Sequence, residues 1–417
     1  MKFLTWFCIL NSSLFWFSPV NWAAAQSARW VRQLEANAVA LDSANLTGEA
    51  NVSAIRQRIG HNYQVLGIGE QSHGTSEFFT ARILLIKALA SDPSLKKIGL
   101  EAPMAEVDGL NDYIRTGAGD LKSVLRSFRL YGYECQEFVE LVEEVRRIGN
   151  VDKRKLQFFG FDMQSPFQSL RNIADSGMPS DAADSLKKLL HDYELLSNDI
   201  YNHSFNEGDF AELTALSNHV MGKVQLKNEQ VKKSIRSYRQ FLLLNNPKHA
   251  HARDVQSEIR DSLMAENVLA EVKPGEKIIL LAHNAHLQKT PNIFSKSVGY
   301  YLSRKLQTGY QCIGMTTSAG FYTTFTPAAG RITSTNPVVA GDSTAFEYHF
   351  AKLNKPVYWF KTSELKAGSQ NIQFPHRYRL LVYGLADNQF FEGNVLNDFD
   401  YVLHIRQTTG NHSFYLK

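Results

Sequence analysis

The sequence predicts an α/β fold: a central, mostly parallel sheet with helices on both faces and a long helical insertion. Three observations carry this reading. Short runs dense in Ile, Val, Leu and Phe at 65–68, 98–100, 158–161 and 278–282 are separated by helix-like stretches, as buried parallel strands are. Each run ends in acid, base or histidine: Glu70 and His73 in a Gly69-Glu70-Gln71-Ser72-His73-Gly74 turn, then Glu101, then Asp162, then His283-Asn284-Ala285-His286. Residues 178–272 differ in character, being rich in Leu, Lys, Glu, Asp and Asn and almost free of Gly. In parallel sheets the ligand crevice lies outside the carboxyl ends of the strands, so four charged strand ends describe one pocket.

The elements follow in order. Residues 1–25 read as a signal peptide, with Lys2 as the positive start, an apolar stretch over 3–17 and Ala23-Ala24-Ala25 as a small-residue cleavage site. Asn11, Ser12, Ser13 and Pro19 interrupt the apolar stretch and weaken an anchor reading. Residues 26–177 hold the first part of the core: helical character over 28–60, a strand over 64–68, a helix over 76–90 closed by Pro93, a strand over 97–100, helices over 105–115 and 137–148, and a strand over 156–161. The insertion over 178–272 reads as three or more long helices broken at Pro247, packed over the strand ends either as a lid or as a plain flank. The second part of the core, 273–417, begins at Lys273-Pro274-Gly275. It carries a strand over 278–282, a helix near 295–306, a strand over 311–316, strand-like runs at 321–325, 356–360, 378–383 and 401–405, and a short helix near 343–352.

Composition narrows the function classes. Lys plus Arg number 45 against 41 Asp plus Glu, a net charge of +4 spread along the chain, so no basic stripe marks a nucleic-acid binder. No run after the leader has the length needed to span a bilayer, and the mature chain is expected to be secreted or periplasmic. Cys8 falls in the leader. Cys135 and Cys312 remain as candidates for a single bridge in an oxidising compartment, since two cysteines make no disulfide framework.

The chemistry-bearing residues are histidines and carboxylates. Glu70 and His73 share one turn, where imidazole is suited to take a proton near neutral pH and a carboxylate can fix its tautomer. Gly67, Gly69 and Gly74 allow a sharp turn and close approach of backbone to ligand. His283 and His286, three apart, suit metal ligation together with Glu70, Glu101 and His73; they equally suit a metal-free centre with one histidine as base. Spacing fits both arrangements. Ser72 lacks the first glycine of a nucleophile elbow, because Glu70 stands there, and no glycine-rich phosphate loop is present. A non-catalytic exported ligand-binding protein is the alternative outside enzymology.

Several segments together resemble the erythromycin esterase family. They are Gly67-Ile-Gly-Glu-Gln-Ser-His-Gly-Thr-Ser-Glu-Phe-Phe79, Gly99-Leu-Glu-Ala102, Tyr113-Ile-Arg-Thr-Gly117, Gly160-Phe-Asp-Met-Gln164, Ala282-His-Asn-Ala-His286 and Phe399-Asp-Tyr-Val402. The likeness runs over about 60–170 and from about 277 onward, and the insertion carries little of it. The resemblance implies a hydrolase that opens a macrolide lactone or related ester without metal or other cofactor. It makes His73 the base that activates water, with Glu70, Glu101, His283 and His286 around it. Arg82 matches an arginine of some members and is expected to anchor a carboxylate or stabilise the developing oxyanion. Tyr133 stands where members tend to carry tryptophan. With Asp162 and Asn284 it is expected on the substrate-facing wall.

Overall fold

The computed structural model describes residues 19–153, 155–196, 200, 203–226, 228–249, 253–368, 375–381, 384 and 388–416. Among them eleven strands form: β1 (Val39–Ala40), β2 (Val65–Glu70), β3 (Leu95–Pro103), β4 (Gln157–Asp162), β5 (Lys277–His283), β6 (Tyr310–Thr326), β7 (Arg331–Pro337), β8 (Val357–Lys361), β9 (Arg377–Arg379), β10 (Phe390–Glu392) and β11 (Tyr401–Thr408). The main sheet runs β1-β8-β11-β6-β2-β5-β3-β4, with β7 paired to β6 beyond it and β9–β10 a separate antiparallel pair. From β11 to β4 the pairings are parallel; β8 is antiparallel to β11, and β1 to β8. The fold is α/β.

Alternate residues of each central strand enter opposite cores, as the period of two requires. Leu66, Ile68, Leu281 and Ile313 pack with Val52, Ile55, Leu85, Leu141 and Val145 of the helices Glu49–Arg58, Ser76–Leu89 and Gln136–Val151. On the other face Val65, Leu280, Cys312 and Val402 pack with Trp30, Leu34, Met264 and Leu302. Both central faces are therefore buried, which is why these runs are apolar throughout rather than alternating. Cys135 lies in the first core and Cys312 in the second, so the sheet separates the two thiols and both are free.

The elements depart from expectation in a few places. The helical reading of 28–60 resolves into the helices Pro19–Asn37 and Glu49–Arg58, with β1 between them. The runs at 311–316 and 321–325 are one strand, β6, which outruns the sheet and folds back on β7 as a hairpin. The run at 378–383 reduces to β9, and residues 382–383 lie outside the described residues. So do residues 1–18, the first part of the expected leader, while the helix Pro19–Asn37 continues across Ala23, Ala24 and Ala25. No described helix is long and apolar enough to cross a membrane.

The stretch read as one insertion divides in its packing. Helices Ser180–Leu196, Glu207–Lys223 and Glu229–Leu244 share a core with the helix Phe167–Ala174 that precedes the stretch, built around Leu170, Leu189, Tyr193, Val220, Tyr238 and Phe241. The last helix, Arg253–Glu271, instead buries Met264, Ala265 and Val268 in the core beneath the sheet, so it behaves as an ordinary crossover helix leading into β5. Asn267 Nδ2 donates to Phe161 O at 3.0 Å, and Lys97 pairs with Glu271 at 2.7 Å.

The turn after β2 is held from two sides. Gly74 O accepts from Thr323 N at 2.8 Å and Asn411 N at 2.9 Å, and Gln71 O accepts from Leu381 N at 2.9 Å. A Cβ on Gly74 would stand 1.8 Å from Thr323 O and under 3 Å from two further backbone atoms of Thr323. Backbone cannot yield as a side-chain tip can. Gly74→Ala is therefore expected to lower stability by at least about 1–3 kcal/mol in a urea titration, and to displace the turn that carries His73.

Candidate active site

Strand register alone brings the four charged ends into a row. Glu70 of β2 and His283 of β5 are directly paired positions, β3 lies beside β5, and Pro103 of β3 pairs with Asp162 of β4. Sequence distances of up to 213 positions thus collapse to neighbouring strand ends.

At the β2 end, His73 Nδ1 and Glu70 Oε1 are 2.9 Å apart, and Glu70 Oε2 is 2.6 Å from Arg82 Nη1. Arg82 lies one and a half turns into the helix Ser76–Leu89, only 1 % exposed, and its Nη2 donates to Ala282 O at 2.9 Å. Both ends of its guanidinium are spent inside the protein, so the expected contact of Arg82 with substrate gives way to support of Glu70. His73 itself is 20 % exposed at its side chain, and its ring centroid is 5.1 Å from that of His283.

His283 is fully buried and serves the backbone. Its Nε2 lies 2.9 Å from Gln71 O and 3.1 Å from Leu381 O, while Nδ1 accepts from Ala285 N at 3.2 Å. Two carbonyls require a hydrogen on Nε2, which fixes the neutral tautomer. Burial, together with neighbouring His73, pushes its pKa down to about 3. The expected role of His283 as a group that polarises a carbonyl or protonates a leaving alcohol does not fit, because neither nitrogen points away from the fold. It pins the turn after β2 to β5 and to the 375–381 segment.

His286 sits one helical turn further on and is charged. Its Nδ1 is 2.7 Å from Asp261 Oδ1 and its Nε2 3.2 Å from Glu101 Oε1. Burial would push this imidazole down, but Asp261 and Glu101 outweigh burial and raise it to about 10. Glu101 is deeply buried; against that burial, His286, His73 and Arg260 hold its carboxyl well below the usual range. Its Oε2 accepts from His283 N at 2.9 Å, and its Oε1 also accepts from Arg260 Nη2 at 3.1 Å. Glu101 Oε1 therefore bridges two cations whose own nitrogens approach to 3.4 Å.

Three residues expected on a substrate wall lie elsewhere. Asp162 is wholly buried and pairs with Arg260 Nη2 at 2.6 Å. Asn284 is wholly buried, donates to Met315 O at 2.8 Å, and lies so close over Gly69 that a Cβ there would meet its Oδ1 at 2.1 Å. Tyr133 is a core residue: its ring meets Phe128 and Phe138 edge-on and its hydroxyl donates to Glu101 O at 3.1 Å. A polar residue at a strand end suggests exposure, but the helix Arg253–Glu271 covers the β4 end and turns Arg260 onto Asp162.

Arg260 and Asp261, both on that helix, were not anticipated from sequence. An arginine–aspartate pair in a polar helix reads as a solvated face, and only the tertiary packing turns it inward. A cleft of about 150 Å³, lined by Gln164, Leu244, Asn245, Gln256, Ser257 and Arg260, reaches the cluster at Arg260.

Serine and cysteine nucleophiles find little footing. Ser72 is buried and its hydroxyl bonds that of Thr75; burial raises the Cys135 thiol far above its ordinary range. Among the described residues no three His, Cys, Asp or Glu side chains converge as a metal site. The cluster's carboxylates already face Arg82, Arg260 and protonated His286.

Histidines and carboxylates gathered at the carboxyl edge of a parallel sheet are the arrangement of an acid–base enzyme of α/β architecture. The family model for erythromycin esterase matches residues 96–408, a span that begins after the turn bearing Glu70 and His73. The chain belongs to the erythromycin esterase family and is a hydrolase resembling its members. It is 27 % identical over 291 residues to erythromycin esterase type I of Escherichia coli, covering 61 % of this chain and 70 % of that protein. Against erythromycin esterase type II of Escherichia coli the identity is 24 % over 308 residues, covering 64 % and 71 %. Among solved structures, one described as a succinoglycan biosynthesis protein superposes with a TM-score of 0.73 at 22 % identity, covering 93 % of this chain and 98 % of that one. A mutant erythromycin esterase in its open conformation gives 0.65 at 20 % identity, covering 86 % and 93 %. The solved structures speak for the fold alone.

Proposed function

We propose that this protein hydrolyses a macrolide lactone or a related ester by histidine-activated water, without a metal, and that it does so outside the cytoplasm after loss of its leader. The observation that carries the reading is the Glu70–His73 pair, 2.9 Å apart in a turn at the carboxyl edge of the sheet and backed by Arg82. Glu70 accepts a hydrogen bond from Nδ1–H, which leaves Nε2 as the basic nitrogen, and the carboxylate stabilises the imidazolium as it forms. His73 Nε2 removes a proton from water, the oxygen attacks the ester carbonyl, the carbon–oxygen bond to the alcohol breaks, and the departing alkoxide takes the proton back from His73. Family membership supports the substrate class, and the leader-like residues 1–25 support export.

Incubation of the purified protein with a panel of macrolides and simple esters tests the reading. One substrate is expected to gain the mass of one water, with release of a free carboxylate. Binding without product across the panel would favour an exported receptor. Prolonged treatment with a chelator, followed by elemental analysis, is expected to leave turnover unchanged. Loss of activity restored by one divalent ion would instead favour the metal-dependent hydrolase that the His283–His286 spacing also fits.

A further inference from the structure

We propose that Arg260 and Asp261, neighbours on the helix Arg253–Glu271, are positioning residues for this hydrolysis: they lock Glu101 and His286 into one ion pair whose charge acts on His73. The inference rests on His73 being the base. Its support is a chain of short contacts from a helix outside the sheet to Glu101, His286 and the backbone of His283, whose ring lies 5.1 Å from that of His73. Arg260 Nη2 holds Asp162 at 2.6 Å and Glu101 at 3.1 Å; Asp261 Oδ1 holds His286 at 2.7 Å and is itself fixed by Val298 N at 3.0 Å. Glu101 then accepts from the backbone N–H of His283 at 2.9 Å. Glu101 and His73 in turn act on each other electrostatically.

Docking the helix does not by itself call for these charges. Met264, Ala265 and Val268 already bury its apolar side, and Asn267 ties it to β4. Buried ion pairs rarely add net stability, because desolvation offsets their attraction. Two adjacent charges of opposite sign, each aimed at a different member of one His–Glu pair, are better explained by what they impose on that pair. The charged and titratable groups around His286 are Asp261 and Arg260 from the helix, Glu101 from β3 and His283 beside it on the same chain segment. Removing the Asp261 charge leaves Glu101 alone to offset burial, so His286 falls from about 10. Once neutral, it no longer compensates Glu101.

The test is steady-state kinetics of full-length Asp261→Asn, Arg260→Met and Arg260→Lys on whichever ester is turned over, with His73→Ala as reference and rates scaled to the folded fraction. Asp261→Asn is expected to lower kcat about tenfold or more with KM changed less than about threefold. It should also move the alkaline limb of the kcat/KM profile down by about one unit or more, because His286 then loses its proton within the measured range. Arg260→Lys, which keeps the charge but loses the fork, should retain more of kcat than Arg260→Met. If the melting points of these variants drop while kcat and the pH limbs stay as in the parent, the pair is only structural and the inference fails alone. A fully active His73→Ala would sink the reading of the base and this inference together. Asp261→Asn and Arg260→Lys are near-isosteric, so a folding defect in Arg260→Met leaves two decisive variants.

Discussion

His73→Ala is expected to cut ester turnover by about 10²–10⁴-fold in kcat, the range that a general base contributes, with KM altered less than about threefold. The protein should remain folded. His73 is partly exposed, and its removal leaves Glu70 still paired with Arg82 at 2.6 Å, so no buried charge is stranded. Kinetics beside a circular-dichroism melt separate the two effects. Near-full activity in a folded variant would remove the central claim, because neither other histidine can inherit the task. His283 has both nitrogens committed to backbone, and His286 is held protonated between Asp261 and Glu101. Glu70→Gln offers a graded companion. It keeps the shape but lets the tautomer of His73 drift, and an orienting carboxylate replaced by its amide has a precedent cost near 10⁴ in the serine-protease triad.

The row of strand ends was legible because burial on both faces makes a parallel strand apolar throughout, so a charge at its end stands out against Ile, Leu and Phe. Glu70, Glu101, Asp162 and His283 are found that way, and the structure sets them on adjacent strands. What sequence could not supply was which of these groups faces solvent. Strand ends in a parallel sheet look alike whether a helix covers them or not. Sequence therefore points Asp162 and Asn284 to a wall although both are wholly buried, and the family resemblance points Tyr133 there although Phe128 and Phe138 enclose it. The inverse error hid Arg260 and Asp261. Charged residues on a helix of mixed polarity signal a wet face by default, and only the apolar register of Met264, Ala265 and Val268 against the sheet turns that helix the other way. The same register is what separates Arg253–Glu271 from the four-helix layer before it, a boundary that composition alone blurred.

Arg82→Met is expected to produce the largest loss of stability, about 3–5 kcal/mol by urea denaturation, since removing one partner of a buried pair leaves the other charge uncompensated. Arg82 is 1 % exposed, and its single guanidinium answers both Glu70 Oε2 and Ala282 O. A double variant, Glu70→Gln with Arg82→Met, should then lose less than the sum of the single losses, because no lone charge remains. Activity should nonetheless stay low in the double variant, for the tautomer of His73 would have no carboxylate to hold it. If instead Arg82→Met melted like the parent and kept its rate, Glu70 would have to be satisfied by water or by His73 alone. The ladder from helix to carboxylate to imidazole would then lose its first rung.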